Sequence, residues 1–215
     1  MDEDDDKKPQ NSIKITLIGD SGVGKTCIIR RYTLNEFTAE SLTTDGVSYS
    51  KKDIMHGDEK IQLDLWDTAG QEKYRSLGKH FYKDSFIVIL VYNITSRETF
   101  ENLKNVWLED VMTYGEKYKV LAVVGNKCDL YEQEAVSEDE ARTFAKEHDA
   151  IYMNVSAKEG TNIKELFNAC IKKYFEQNFQ VNIQEKKKKM EDSIVIKNKK
   201  KKNEKKKEKE KKGCC

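Results

Sequence analysis

The sequence predicts an α/β fold, an open and mostly parallel sheet with helices on both faces. Three observations lead there. Continuous apolar runs such as Phe86-Ile87-Val88-Ile89-Leu90-Val91-Tyr92 are what a strand covered on both faces requires. Segments of helical period alternate with these runs along the chain. Every stretch with the look of a binding motif falls just after a strand, the edge at which such sheets take their ligands. At 215 residues the chain suits one such domain plus a tail.

In order along the chain, residues 1–11 are acidic, lack apolar periodicity and are expected to be disordered. Ile13–Ile18 reads as a buried strand and 25–34 as a helix with Cys27, Ile28 and Ile29 packing inward. The polar loop 35–45 is longer than a connection needs, and long loops beside binding sites are usually functional. Strands near 46–54 and 60–66 flank the turn His56-Gly57-Asp58-Glu59 and form a hairpin. A second loop, 67–80, precedes the 86–92 strand; Ser96 and Glu98 start a helix to about Tyr114, and Val120–Val124 is the next buried strand. Ser137 and Glu140 form a capping box for a helix to about Glu147. Ala150–Val155 is the last strand. The last helix, Asn162–Asn178, carries the apolar stripe Ile163, Leu166, Phe167, Cys170, Ile171, Tyr174 and Phe175.

Charge is unevenly spread. Residues 186–215 hold fifteen lysines against five acids, +10, so with a whole-chain charge of +1 residues 1–185 carry −9. No apolar run of about 18 residues and no leader-type segment is visible, so the expected compartment at synthesis is the cytosol. The five cysteines have neither metal-ligand nor disulfide-scaffold spacing, and Cys27, Cys128 and Cys170 read as small buried apolar residues.

Gly19-Asp20-Ser21-Gly22-Val23-Gly24-Lys25-Thr26 fits G-x-x-x-x-G-K-[ST] in its required context, after a strand and opening a helix. Glycines let main-chain N–H groups converge on phosphate oxygens, the helix turns its positive end to the same anion, Lys25 reaches the β- and γ-phosphates, and Thr26 offers a hydroxyl to Mg²⁺. Read alone, the pattern also suits a glycine-rich turn; its partners downstream decide. In Asp67-Thr68-Ala69-Gly70-Gln71 the aspartate suits Mg²⁺ through its water shell, Gly70 offers an N–H to a γ-phosphate, and Gln71 has the amide that orients an attacking water. In Asn126-Lys127-Cys128-Asp129 the last carboxylate accepts from the N1–H and 2-amino groups of guanine, whereas adenine offers an acceptor at N1 and nothing at C2. Ser156-Ala157-Lys158, after the last strand, is placed for its N–H groups to meet guanine O6, although read alone it suits an ordinary loop at least as well. Together the four stretches specify a guanine nucleotide.

Residues 12–178 resemble the Ras-like small GTPases through these motifs, and most of all the Rab family, through Trp66–Glu72, Lys73–Leu77, Phe81-Tyr82 and Leu90–Thr95. The resemblance implies the P-loop NTPase fold, a three-layer sandwich with a six-stranded mostly parallel sheet, one antiparallel edge strand and five helices. It also implies that Asp20, Ser21, Gly22, Val23, Gly24, Lys25, Thr26, Cys27, Phe37, Thr44, Gly70, Asn126, Lys127, Asp129, Ser156, Ala157 and Lys158 bind the nucleotide. Phe37 stacks on the base, Thr44 senses the γ-phosphate and joins Thr26 and Asp67 at Mg²⁺, and Gln71 and Lys25 are catalytic. Rabs usually have isoleucine where this chain has Asp45 and Asp-Phe where it has Ser48-Tyr49, so no particular Rab's partners carry over. Tyr49, Trp66 and Phe81 occupy the family's exposed aromatic positions; core packing and effector contact are both open for them.

Beyond about residue 180 the lysine clusters cannot bury a core, and residues 180–215 are expected to be a disordered tail on a 12–179 domain. Solvated spacer, nucleic-acid arm and membrane arm compete. Gly213-Cys214-Cys215 decides for the membrane, because Cys214 and Cys215 resemble the Rab double-prenylation site, and the last thirty residues carry no aromatics to stack on bases. The expected protein is a Rab-like GTP/GDP switch in vesicle trafficking, monomeric, cycling between the cytosol and the cytoplasmic face of intracellular membranes. Exchange factor, GTPase-activating protein, effectors, and prenylation and GDP-dissociation machinery are its implied partners, with no nucleic acid among them. A low-turnover guanine-nucleotide scaffold anchored by its tail is the alternative, kept open by Asp45. A P-loop kinase is disfavoured because this chain shows no substrate domain or lid and Cys214-Cys215 would go unexplained, a Rho because the seven residues between Asp129 and Ser137 leave no room for that family's inserted helix, and a Ran because its tail is acidic and unlipidated.

Overall fold

A computed structural model of the chain describes residues 12–38, 47–68, 83–115 and 118–179. The chain divides into two compact units, Met1–Tyr174 and Phe175–Cys215. The first is the sheet domain; of the second, only the end of the last helix, 175–179, is described.

Six strands, β1 (Ser12–Ile18), β2 (Val47–His56), β3 (Glu59–Thr68), β4 (Ile87–Asn93), β5 (Val120–Asn126) and β6 (Ile151–Val155), form one sheet in the order β2-β3-β1-β4-β5-β6. Four neighbouring pairs are parallel and β2–β3 is the antiparallel edge pair, as the hairpin reading expects. The strand order reverses at β1, between β3 and β4, which puts a ligand crevice at the C-terminal end of β1. β4 and β5 are buried at nearly every position because helices cover both faces.

The described helices are α1 (Lys25–Leu34), α2 (Arg97–Asn102), α3 (Leu108–Tyr114), α4 (Glu138–Glu147) and α5 (163–179). On one face Val88, Leu90, Tyr92, Leu121 and Val123 pack with Phe100, Leu103, Trp107, Leu108 and Val111 and with Ala141 and Ala145 of α4. On α1 and α5, Tyr32 and Phe167 stack with ring centroids 3.8 Å apart, and Ile28, Ile163, Leu166 and Cys170 are buried. Cys27 and Cys128 are only half-buried, unlike Cys170, because both sit next to site loops; burial still pushes their thiols up from the usual range.

Three local features differ from the sequence reading. The single helix expected from Ser96 to Tyr114 is split by a π turn, Leu103–Trp107, between α2 and α3. A 3₁₀ segment, Cys128–Gln133, follows β5. Only half of the capping box forms: Ser137 Oγ accepts from the Glu140 N–H at 3.3 Å, while the Glu140 carboxylate is taken by Arg97, whose Nη2 reaches Oε1 at 2.7 Å. A charged donor outcompetes the neutral N–H that the box offers.

Candidate functional site

The glycine loop connects β1 to α1, and its shape is a main-chain property. Gly19 (φ +147°) and Gly24 (φ +97°) lie where an L side chain is strained, and neither has room for one. A Cβ on Gly19 would stand 2.1 Å from the Val91 carbonyl oxygen, and one on Gly24 2.3 Å from Asn126 Nδ2. No side chain caps the N-terminus of α1, so its first-turn N–H groups and positive dipole end are left to an anion. Lys25 is buried beneath the loop, and its ammonium donates to the carbonyls of Gly19 and Asp20, both at 2.8 Å. Burial lowers its pKa to about 8, against the opposing pull of the Asp67 and Asp20 carboxylates.

Thr26, in the first turn of α1, donates its hydroxyl to Asp67 Oδ2 at 2.6 Å. Asp67 is itself a strand residue rather than one following a strand: it pairs with Leu17 in the β1–β3 ladder, and that fixes it in the sheet. A hydroxyl and a carboxylate are hard oxygen donors, few enough to leave Mg²⁺ most of its waters and the substrate's phosphates, and the glycine cradle is the complementary phosphate site. The donor set therefore fits Mg²⁺. Among the described residues no group of three or more His, Cys, Asp or Glu side chains could hold a metal ion.

The base end is built from side chains. Asn126 ends β5, paired with both β4 and β6, and is 2% exposed. Its Nδ2 donates to the Val23 carbonyl at 2.8 Å, and its Oδ1 accepts the Ala157 N–H at 3.2 Å. One amide thus joins the glycine loop to the loop after β6. Lys127 takes a left-handed conformation (φ 68°), unusual for a residue with a side chain and characteristic of functional turns. That turn brings Asp129 to Ser156, whose hydroxyl donates to Asp129 Oδ1 at 2.6 Å and also accepts the Glu159 N–H at 3.0 Å. Lys158 Nζ lies 3.9 Å from Asp129 Oδ2.

Of the sequence-predicted residues, these contacts join Thr26 to Asp67, Asn126 to Val23 and Ala157, and Asp129 to Ser156 and Lys158, at the C-terminal ends of β1, β3, β5 and β6. Phe37 is described and 37% exposed. Thr44, Gly70, Gln71, Phe81, Cys214 and Cys215 lie outside the described residues. Tyr49 and Trp66 form an edge-to-face pair with centroids 5.4 Å apart. Tyr49 is 44% exposed, donates to Asp64 Oδ1 at 2.6 Å, and so is not a core residue.

Two supports were not foreseen. Asp20, expected to face the nucleotide, spends its carboxylate on α2 and the π turn: Asn102 Nδ2 donates to Oδ2 at 2.8 Å and Trp107 Nε1 to Oδ1 at 2.6 Å. Arg31 of α1 donates from Nε to the Ala157 carbonyl at 2.8 Å and from Nη2 to the Lys158 carbonyl at 2.7 Å. Neither partner is near in sequence, and a lone Asn, Trp or Arg carries no motif.

Comparison with known proteins agrees with this geometry. The Ras family profile matches residues 14–176. The GTP-binding protein ypt3 of Schizosaccharomyces pombe is 38% identical over 162 residues, 75% of each chain. The Ras-related protein RABA1g of Arabidopsis thaliana is 40% identical over 163 residues, 75% of this chain and 74% of its own, and the rice Ras-related protein RGP2 is 38% identical over 162 residues. The chain belongs to the Ras family, as a Ras-like small GTPase most similar to the Rab proteins.

Proposed function

We propose that the protein is a membrane-anchored switch of intracellular trafficking, which binds effectors with GTP in place and hydrolyses that GTP slowly. The observation that carries this reading is the Asn126 amide, which binds the phosphate loop at Val23 and the base loop at Ala157, so that one bound molecule with phosphates at one end and guanine at the other spans parts already tied together.

In this reading the main-chain N–H groups from Asp20 to Cys27 cradle the β-phosphate, and Lys25 exchanges the Gly19 and Asp20 carbonyls for phosphate oxygens. Thr26, Thr44 and, through water, Asp67 hold Mg²⁺. When bound, that ion neutralises charge on the β- and γ-phosphates. Asp129, oriented by Ser156, accepts from guanine N1–H and the 2-amino group; an N–H of the 156–158 loop reaches O6. Gln71 orients the attacking water, and Lys25 stabilises charge that builds as the terminal phosphoryl group leaves. Thr44 and the Gly70 N–H read the γ-phosphate, ordering their loops with GTP and releasing them after hydrolysis. Exchange factor, activating protein and effectors act on those loops. Prenylated Cys214 and Cys215, with the lysine clusters, hold the chain at an anionic membrane surface.

Nucleotide carried through purification, followed by multiple-turnover phosphate release with GTP and Mg²⁺, tests the reading. Guanine nucleotide with slow turnover is expected, and the Gln71→Leu variant should lose that turnover. Adenine nucleotide in the site would overturn it, and guanine nucleotide without turnover would leave the tail-anchored scaffold instead.

A further inference from the structure

Arg31 makes one further connection, and its geometry points beyond local packing. Besides Ala157 and Lys158, the guanidinium donates from Nη1 to the Asn35 carbonyl at 2.9 Å and to Asn35 Oδ1 at 3.3 Å. Asn35 is the residue at which α1 ends, in the left-handed region (φ 58°), with its own N–H on the Arg31 carbonyl at 3.1 Å. One side chain therefore holds the root of the 35–45 loop and the base-reading loop to the same helix. A planar fork spreads five donors over three nitrogens and so spans carbonyls on two separate segments, whereas the three donors of a lysine ammonium leave from a single atom.

The bonds also set a direction. Across a trans peptide the C=O and the next N–H point to opposite sides, so pulling the Ala157 carbonyl toward α1 turns the Lys158 N–H away from α1. The preceding N–H, of Ala157, already faces Asn126 Oδ1. Arg31 in this way presents the donor edge of the loop on the side where Asn126 and Asp129 stand.

We propose that Arg31 is a positioning residue for guanine retention, holding the base loop to the end of α1 at Asn35. The proposal rests on the reading that residues 156–158 meet guanine O6. Release then draws on the bonds by which the guanidinium holds the Ala157 and Lys158 carbonyls in place.

Dissociation of a fluorescent GDP from the full chain in Mg²⁺ buffer, chased with excess GDP, gives the first readout. Arg31→Ala is expected to release roughly tenfold faster, about 1.4 kcal/mol, with Arg31→Lys between it and the parent. Mere destabilisation also quickens release, so the second readout is the ratio of affinities for GDP and 6-thioguanosine diphosphate, which keeps N1–H and the 2-amino group and weakens only the O6 acceptor. The parent should prefer GDP and Arg31→Ala should narrow that preference. Release at the parent rate in both variants, or faster release with the preference intact, overturns the proposal. If Arg31→Ala does not fold, Arg31→Lys is read by the same two criteria. A parent that fails to distinguish the two nucleotides defeats the O6 assignment itself and, with it, the reading on which the role of Arg31 rests.

Discussion

At the phosphate end of the site the geometry lives in the main chain, whereas at the base end it lives in side chains. Positive φ at Gly19 and Gly24, an uncapped helix start and a buried Lys25 held by the loop's own carbonyls make up the first. Asn126, Ser156 with Asp129, and Arg31 make up the second. The difference follows from the ligands. A phosphate is a near-symmetrical set of acceptors that any cluster of N–H groups can bind, so backbone shape suffices. A purine is told from its relatives by donors and acceptors at single atoms, which only placed side chains can match.

Gly24→Ala is the strongest way to break the comparison, since it strikes both ends. A left-handed Ala costs of order 1–3 kcal/mol, and its Cβ would push on an Asn126 amide that serves both loops, costing about as much again in buried hydrogen bonds. Loss of GDP affinity by three orders of magnitude or more, about 4 kcal/mol, is expected by calorimetry. A Gly24→Ala chain that bound GDP within tenfold of the parent would mean that the loop does not carry its function in the backbone.

Lys25 sharpens the contrast through pH. Its folded-state pKa, about 8, lies below the ordinary 10.5, so the folded chain loses this proton before the unfolded chain does. The buried charge therefore costs stability below pH 8, and the cost is relieved as pH rises from about 8 to 10.5, where the unfolded state binds more protons. Phosphates favour the charged form, so binding GDP takes up a proton and affinity should fall roughly tenfold between pH 7 and 9. Calorimetry in buffers of different ionisation enthalpy measures that uptake. Lys25→Met, which has no proton to gain, should bind weakly and flatly across the range; a slope as steep as the parent's would assign the titration elsewhere.

Ser156→Ala probes the base end alone. It removes the donor to Asp129 Oδ1 and the acceptor of the Glu159 N–H, the kind of charge-assisted bond worth about 1.5–3 kcal/mol. About tenfold faster GDP release is expected, with little change in the affinity for pyrophosphate, which touches only the other end. Equal losses for both ligands would show the two ends to be one unit.

Legibility in the sequence divides along the same line. Strand order of apolar runs, the hairpin and the four motifs were readable because each is a local pattern, and the glycine loop most of all because its geometry is encoded by residue type at fixed spacing. Strand lengths were read one or two residues short at Asp67 and Asn126, where polar residues end ladders that the apolar pattern alone does not reach. The supporting contacts were not readable: Arg31 meets Ala157 across 126 residues, and Trp107 meets Asp20 across 87. The π turn was invisible because Phe100, Leu103, Trp107 and Val111 keep an ordinary helical spacing of apolar residues.

That π turn gives the smallest of the expected effects and the one most specific to this chain's geometry. Asn102 and Trp107 are five residues apart, about 140° on a regular α-helix, too far round for both to reach one carboxylate. In the turn the Leu108 N–H donates to the Leu103 carbonyl, an i to i+5 bond whose wider loop swings the two side chains toward the same side, where both donate to Asp20. The phosphate end thus borrows one side-chain clamp, outside its glycines. Trp107→Phe keeps the ring in the cluster of Phe100, Leu103 and Val111 but deletes the indole donor, at a cost of about 1 kcal/mol and a fewfold faster GDP release. Asn102→Ala should produce a loss of similar size, and the double variant less than the sum, because both donors serve one acceptor group. Strict additivity in that cycle would mean that Asp20 is held elsewhere and that the π turn serves only the packing of Trp107.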